Sequence, residues 1–348
     1  MTERENMLRT IRFERPDHIP MIFAINPACY ESYNHDDLFD LIDDHKLLFP
    51  NFKRPEGKFT PEFAPVANAS APYTDDFGCV WKTTQNGITG TVVSHPLADW
   101  DSFASYKMPD PARSNGLEPI DWSQIEQEFV RVKQEGGFTQ GGLRHGHTFL
   151  QLCDLRGYEN LLFDMMDEEP LLDTLIEQLE AFNTEILKRY LAFDPDMVCF
   201  PEDLGMQSGP MLSPEQFVRY IKPSYQRMMK LARDKGKIVH MHSDGDIRLL
   251  VDELIDGGVD VINLQDLVNG VDWIAERFKG RVCIDLDIDR QSVTPYGTPE
   301  DIDRLIRTEV ETLSSKDGGL MMIYGLYPGV PIENVKALMD AMERYMGL

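Results

Sequence analysis

Short apolar runs recur through the second half of the chain, each followed by a stretch of helical periodicity. The runs at 197–200, 237–242, 259–264, 281–286 and 319–324 read as buried strands. Ser213-Pro-Glu-Gln216 sets an N-cap serine, a first-turn proline and a glutamine three residues on. Thr298-Pro-Glu-Asp301 opens another helix, and a last one runs from about 331 to 346. Helical periodicity over 247–255 stops at Gly257-Gly258. Strictly alternating units imply a parallel sheet covered by helices, and the even rhythm favours a closed barrel over an open doubly wound sheet. No Gly-x-Gly-x-x-Gly follows any strand, which counts against dinucleotide binding.

The first half is less regular. Residues 19–24 fit a first strand after a helix over 3–13, and 138–143 fit a further strand. The stretch 50–115 is rich in Pro, Gly and aromatics and reads as an excursion with a strand at 88–93. A long amphipathic helix is predicted over 168–193. No linker or low-complexity run divides the chain. The expectation is an α/β protein, a single (β/α)8 TIM barrel domain over 1–348 with an N-terminal excursion.

In a parallel barrel the chemistry sits at the C-terminal ends of the strands. The segment Lys237-Ile-Val-His-Met-His-Ser-Asp-Gly-Asp246 places His240 and His242 on one face, with Asp244 just beyond. Such a group forms a metal site or an acid/base site; the plainer alternative is one packed histidine and one that fixes a loop. The other strand ends deliver Glu202 and Asp203, then Gln265 and Asp266, then Asp285, Asp287, Asp289 and Arg290, then Tyr324 and Tyr327. Asp246 and Asp266 also suit helix caps. Glu202, after Pro201, is poorly placed to cap a helix that begins near Ser213. Three alternating aspartates call for a cation, Arg290 or partial protonation. His145 and His147 join the same mouth or stay in a loop. Arg156 is either an anchor for a substrate carboxylate or a helix-terminal salt bridge. No Ser or Cys stands in a nucleophile-elbow setting.

Charge narrows the partners. With 59 acidic against 34 basic residues the net charge is −25, which repels nucleic acid and anionic membranes. A polyanionic substrate would need arginines of its own in the pocket. Cys29, Cys79, Cys153, Cys199 and Cys283 are scattered, with no Cys-x-x-Cys pair, as in a reducing compartment. The charged start has no apolar leader segment and no run has membrane length, so a soluble, cytoplasmic protein is expected.

On these residues the chain resembles the uroporphyrinogen decarboxylase superfamily over nearly its whole length. The likeness lies in Glu14-Arg-Pro-Asp-His-Ile-Pro20, Asp75-Asp-Phe-Gly-Cys-Val-Trp81, Leu155-Arg-Gly-Tyr-Glu-Asn-Leu161, Pro201-Glu-Asp-Leu-Gly205, Leu212-Ser-Pro-Glu215, His242-Ser-Asp-Gly245 and Pro331-Ile-Glu-Asn334. It implies a barrel with its cleft at the strand C-termini, often a homodimer, serving either tetrapyrrole decarboxylation or zinc- and corrinoid-linked methyl transfer. The decarboxylase's Arg-Gln-Ala-Gly-Arg clamp is replaced here by Phe23-Ala-Ile-Asn-Pro-Ala-Cys-Tyr30, which has no arginine. The methyltransferase branch is the nearer, although Asp244 stands where it carries a zinc-binding thiolate and its later cysteine falls near Tyr324.

The resemblance therefore implies a metal-dependent, methyltransferase-like enzyme that moves a methyl group from a small O-, N- or S-methyl donor to a corrinoid on a partner protein. The expected ligands of a divalent metal, zinc in the first instance, are His242, Asp244 and Glu202, with His240 a fourth ligand or an orienter. Asp285 or Asp287 would orient substrate or act as base, Tyr324 would hydrogen-bond to it, and Arg156, Gln265 and His147 would contact it. A decarboxylase or lyase acting on a small carboxylated substrate is one alternative. A non-catalytic barrel that binds a tetrapyrrole or corrinoid is another.

Overall fold

The computed structural model describes residues 1–347, and seven parallel strands form its central sheet. They are β1 (Met21–Ile25), β2 (Gln140–Gly142), β3 (Met197–Asp203), β4 (Ile238–Asp244), β5 (Val261–Gln265), β6 (Cys283–Asp287) and β7 (Leu320–Leu326). Their spatial order is β1-β7-β6-β5-β4-β3-β2. From β2 onward each strand pairs with the next in sequence, as right-handed crossover units require. This is a (β/α) barrel of the TIM type. Its hydrogen-bonded sheet has seven strands, where the rhythm of the sequence suggested eight. Between β1 and β2 the chain makes the expected excursion, a three-stranded antiparallel sheet of Tyr73–Thr74, Val80–Lys82 and Thr91–Ser94.

Strand register decides what faces the lumen. Residues alternate between faces along a strand. His240, His242 and Asp244 of β4 lie beside Cys199, Pro201 and Asp203 of β3. Val261 and Asn263 of β5 lie beside His240 and His242, and Asp285 and Asp287 of β6 continue the two layers above. The opposite face carries Val198, Phe200, Val239, Met241, Ile262, Leu264, Ile284 and Leu286, all wholly buried beneath the helices. Removing each such side chain from water stabilises the fold by roughly 1.5–3 kcal/mol. Polar residues can therefore crowd the lumen at tolerable cost.

Helix α1 (Glu3–Arg12), N-capped by Thr2, reaches the floor of the lumen. Its Ile11 packs with Met197, Ile238, Val261, Cys283 and Met321. The helices α2 (Phe149–Arg156), α3 (Pro170–Ala192), α4 (Lys222–Arg233), α5 (Pro299–Leu313) and α6 (Ile332–Tyr345) follow the strands. The cap predicted at Ser213/Gln216 is formed as a capping box, and the helix opened at Thr298 carries a second one with Asp301. No helix among the described residues is long and apolar enough to cross a membrane.

Candidate metal centre at the strand ends

His145, Asp203 and His242 converge at the C-terminal mouth, each offering one ligand atom, and the three atoms lie within 4.8 Å of one another. Asp203 Oδ1 is the meeting point. It lies 3.2 Å from His145 Nε2 and 3.5 Å from His242 Nε2, and it accepts a hydrogen bond from the Asp244 backbone N–H at 3.1 Å. His242 donates its Nδ1–H to Asn263 Oδ1. The orientation of that amide follows from its other end, where Asn263 Nδ2 donates to the Asp285 carbonyl at 2.7 Å. Neutral His242 therefore carries its proton on Nδ1 and turns the Nε2 lone pair toward Asp203 and His145.

The backbone holds the strand ends tightly. Gly245 has φ +81°, and a Cβ there would meet the Gly205 carbonyl carbon at 2.2 Å. The close crossing lets Asp246 N–H donate to the Met206 carbonyl at 2.7 Å. Asp203 and Asp244 are thus fixed side by side.

A second charged group borders the trio. Arg290 Nη2 lies 2.7 Å from Asp287 Oδ2 and 3.1 Å from Asp244 Oδ1, and Asp244 Oδ1 is 3.9 Å from His242 Nε2. Burial pulls the His242 pKa down, but Asp203, Asp244 and Asn263 outweigh it and raise the pKa to about 9. Burial likewise opposes ionisation of Asp203, yet the two histidines hold its carboxyl well below the usual range. Asp287 is pushed up to about 7, chiefly by burial and further by Asp244, against the pull of Arg290 and His242. One layer down, His240 Nε2 lies 2.9 Å from Asp285 Oδ2. His240 Nδ1 and Asp285 Oδ1 are buried without partners.

Several expected site residues are placed elsewhere. Glu202 lies on the opposite face of β3 from Asp203, wholly buried. Its carboxylate accepts N–H bonds from Thr148, Phe149 and Leu150 at the start of α2, and the Tyr225 hydroxyl at 2.7 Å. It stabilises a helix N-terminus from a neighbouring strand and has no free oxygen aimed at the trio. His147 is 1% exposed, packed against Phe200 and Tyr225, with Nδ1 2.6 Å from Thr148 Oγ1, and cannot touch a substrate. Arg156 is the salt-bridge alternative: its Nε donates to Asp164 at 2.7 Å and its guanidinium lies over Trp100. Tyr324 pairs in register with Phe23, faces the helices and is bonded to Thr294 Oγ1 at 3.1 Å. Gln265 does face inward, but its Oε1 accepts the Gly245 N–H at 3.0 Å and so braces the turn after β4. His240 is committed to Asp285 and stands outside the trio.

Two members of the trio were weakly signalled. His145 sat in a segment that reads equally well as a loop, and Asp203 was overshadowed by Glu202. Strand parity separates the two acids: Val198 and Phe200 face the helices, and so does Glu202.

A TIM-type barrel hosts many unrelated chemistries, so it is the imidazoles and carboxylates gathered at the strand C-termini that bear on function. The chain belongs to the uroporphyrinogen decarboxylase (URO-D) family, whose description matches residues 2–345. Among solved structures it is similar to a methyltransferase from Methanosarcina mazei, with 15% identity, 98% of each chain covered and a TM-score of 0.65. A B12-independent methionine synthase from Shewanella sp. W3-18-1 gives 10% identity and a TM-score of 0.43 over 65% of this chain and 66% of that one. No curated protein matches the sequence.

Proposed function

We propose that the protein is a metal-dependent, methyltransferase-like enzyme that moves a methyl group from a small O-, N- or S-methyl donor to a corrinoid carried by a partner protein. The observation that supports it is the convergence of His145 Nε2, Asp203 Oδ1 and His242 Nε2, with His242 held by Asn263 in the tautomer a ligand requires. Two imidazoles and one carboxylate with an open side suit zinc or a similar divalent cation. Asp244, beside His242 but paired with Arg290, is the reserve fourth ligand. With no thiolate in the set, a cation held by these residues would supply Lewis acidity to the donor's heteroatom.

The chain's own groups provide the rest. Asp287, whose carboxyl burial pushes up to about 7 in the metal-free protein, would deliver a proton to the departing heteroatom. Arg290 orients Asp287 and Asp244. Ile22 and Ala24 face the lumen from β1 and are exposed, an apolar wall for the organic part of a donor.

Metal analysis of the purified protein beside His242→Ala tests the reading. Near-stoichiometric zinc in the wild type, lost in the variant, followed by methylation of added cob(I)alamin from a methyl-donor panel, is the expected result. Protein that takes up no divalent metal overturns it.

A second reading has its own support. A metal-free His242 is an imidazolium held between Asp203 and Asp244, close to an Asp287 poised to be protonated. That pair suits a decarboxylase or lyase acting on a small carboxylated substrate, recognised by turnover without corrinoid or metal.

A further inference from the structure

The residue before His145 supplies what Arg156 does not. Arg144 follows the end of β2, and its side chain is only partly buried. It donates to the His145 carbonyl at 2.7 Å and to Gln151 Oε1, and its Cζ lies 6.0 Å from the centre of the Phe77 ring. A guanidinium has five N–H donors in a rigid fork. Among the described residues no carboxylate oxygen comes within ion-pair distance of it.

The acids around it act on its charge from beyond bonding distance and spend their hydrogen bonds elsewhere. Asp75 accepts from Trp81 Nε1 and the Cys79 N–H, both at 2.8 Å. Glu202 is saturated by α2 and Tyr225. Burial raises Asp154 to about 7 despite the nearby Arg144. By contrast, Arg156 and Arg290 each have a carboxylate at 2.7 Å. A partly exposed guanidinium with no carboxylate in ion-pair distance keeps N–H donors free for an incoming anion.

We propose that Arg144 anchors a carboxylate of the substrate, which it binds through its fork beside the His145–Asp203–His242 cluster. This deepens the reading given above, since it makes the donor or lyase substrate an organic acid. A planar carboxylate matches the fork bidentately, which a lysine cannot reproduce. A chain of charge −25 needs such a local cation to admit an anion at all.

Calorimetric titration with benzoate tests it, on wild type, Arg144→Gln and Arg144→Lys, each with and without zinc and each checked for folding by circular dichroism. Benzoate is expected to bind the wild type and to lose at least about tenfold in affinity in both variants, with zinc uptake unchanged. Absence of benzoate binding to the wild type, or equal binding by a folded variant, overturns the proposal, as does tighter binding of inorganic phosphate than of benzoate. Should Arg144→Gln fail to fold, Arg144→Lys carries the comparison alone. Benzoate binding without zinc uptake would remove the metal reading and leave the anchor standing; zinc uptake without Arg144-dependent benzoate binding would do the reverse.

Discussion

His240 Nε2 lies 2.9 Å from Asp285 Oδ2, one layer beneath the histidine that joins the metal cluster. The pair bridges β4 and β6 across the Asn263 strand and holds His240 outside the trio. His240→Ala is expected to retain zinc while losing about 3–5 kcal/mol of stability, because Asp285 is left buried without its partner. Urea denaturation and metal analysis of one preparation measure both.

In the proposed metal site Asn263 would act through His242. Asn263→Leu removes the acceptor for Nδ1–H and frees the imidazole to rotate or change tautomer. Zinc affinity should fall about 10- to 100-fold with the fold intact. Competition with a chromophoric chelator gives the ratio, and unchanged affinity would detach Asn263 from the site.

Glu202 should behave in the opposite way. Glu202→Gln keeps the shape but weakens charge-assisted bonds to three N–H groups and a hydroxyl. The expected loss is about 1.5–3 kcal/mol, seen as a lower urea midpoint, with metal content unaffected. Loss of metal at full stability would restore Glu202 as a ligand.

The metal-free protein should lose stability as the pH rises. The folded pKa of His242 is raised from 6.5 to about 9, so its contribution is fully present below pH 6.5 and is lost as the pH climbs through 9. The span corresponds to about 3 kcal/mol as an upper bound. His242→Ala should lack this slope. Zinc competes with the same proton, so its apparent affinity should rise over the same window.

Gly245→Ala should injure fold and site together. The added methyl meets the Gly205 backbone, and the positive φ of +81° adds about 1–2 kcal/mol. Reduced thermal stability with weaker zinc binding is expected, since the crossing sets Asp203 beside Asp244.

The strand-helix rhythm was legible because each strand of the second half is an apolar run between good helix boundaries. The site was legible only in part, and the reason is the face rule. Strands covered by helices on one side and filled on the other read as apolar on both, so Met197-Val-Cys-Phe200 does not announce which of Glu202 and Asp203 turns inward. At β4 the alternation of imidazoles with apolar residues does announce that His240 and His242 turn inward. Tyr324 illustrates the same ambiguity on β7. His145 lies beyond the three-residue strand β2, where periodicity has no length to act on. Arg144 could not be told from a surface arginine, because its missing partner is a property of the packed excursion and of α2.

The apolar plug of Ile11 against the first lumen layer gives the reaction a traffic rule. If the proposed methyl transfer takes place on the cluster, the donor and the acceptor must approach from the same end. Either the acceptor closes over the seated donor, or the first product departs before the second reactant arrives. Initial-rate patterns, intersecting or parallel, would therefore report on the floor of the barrel as much as on the chemistry at its mouth.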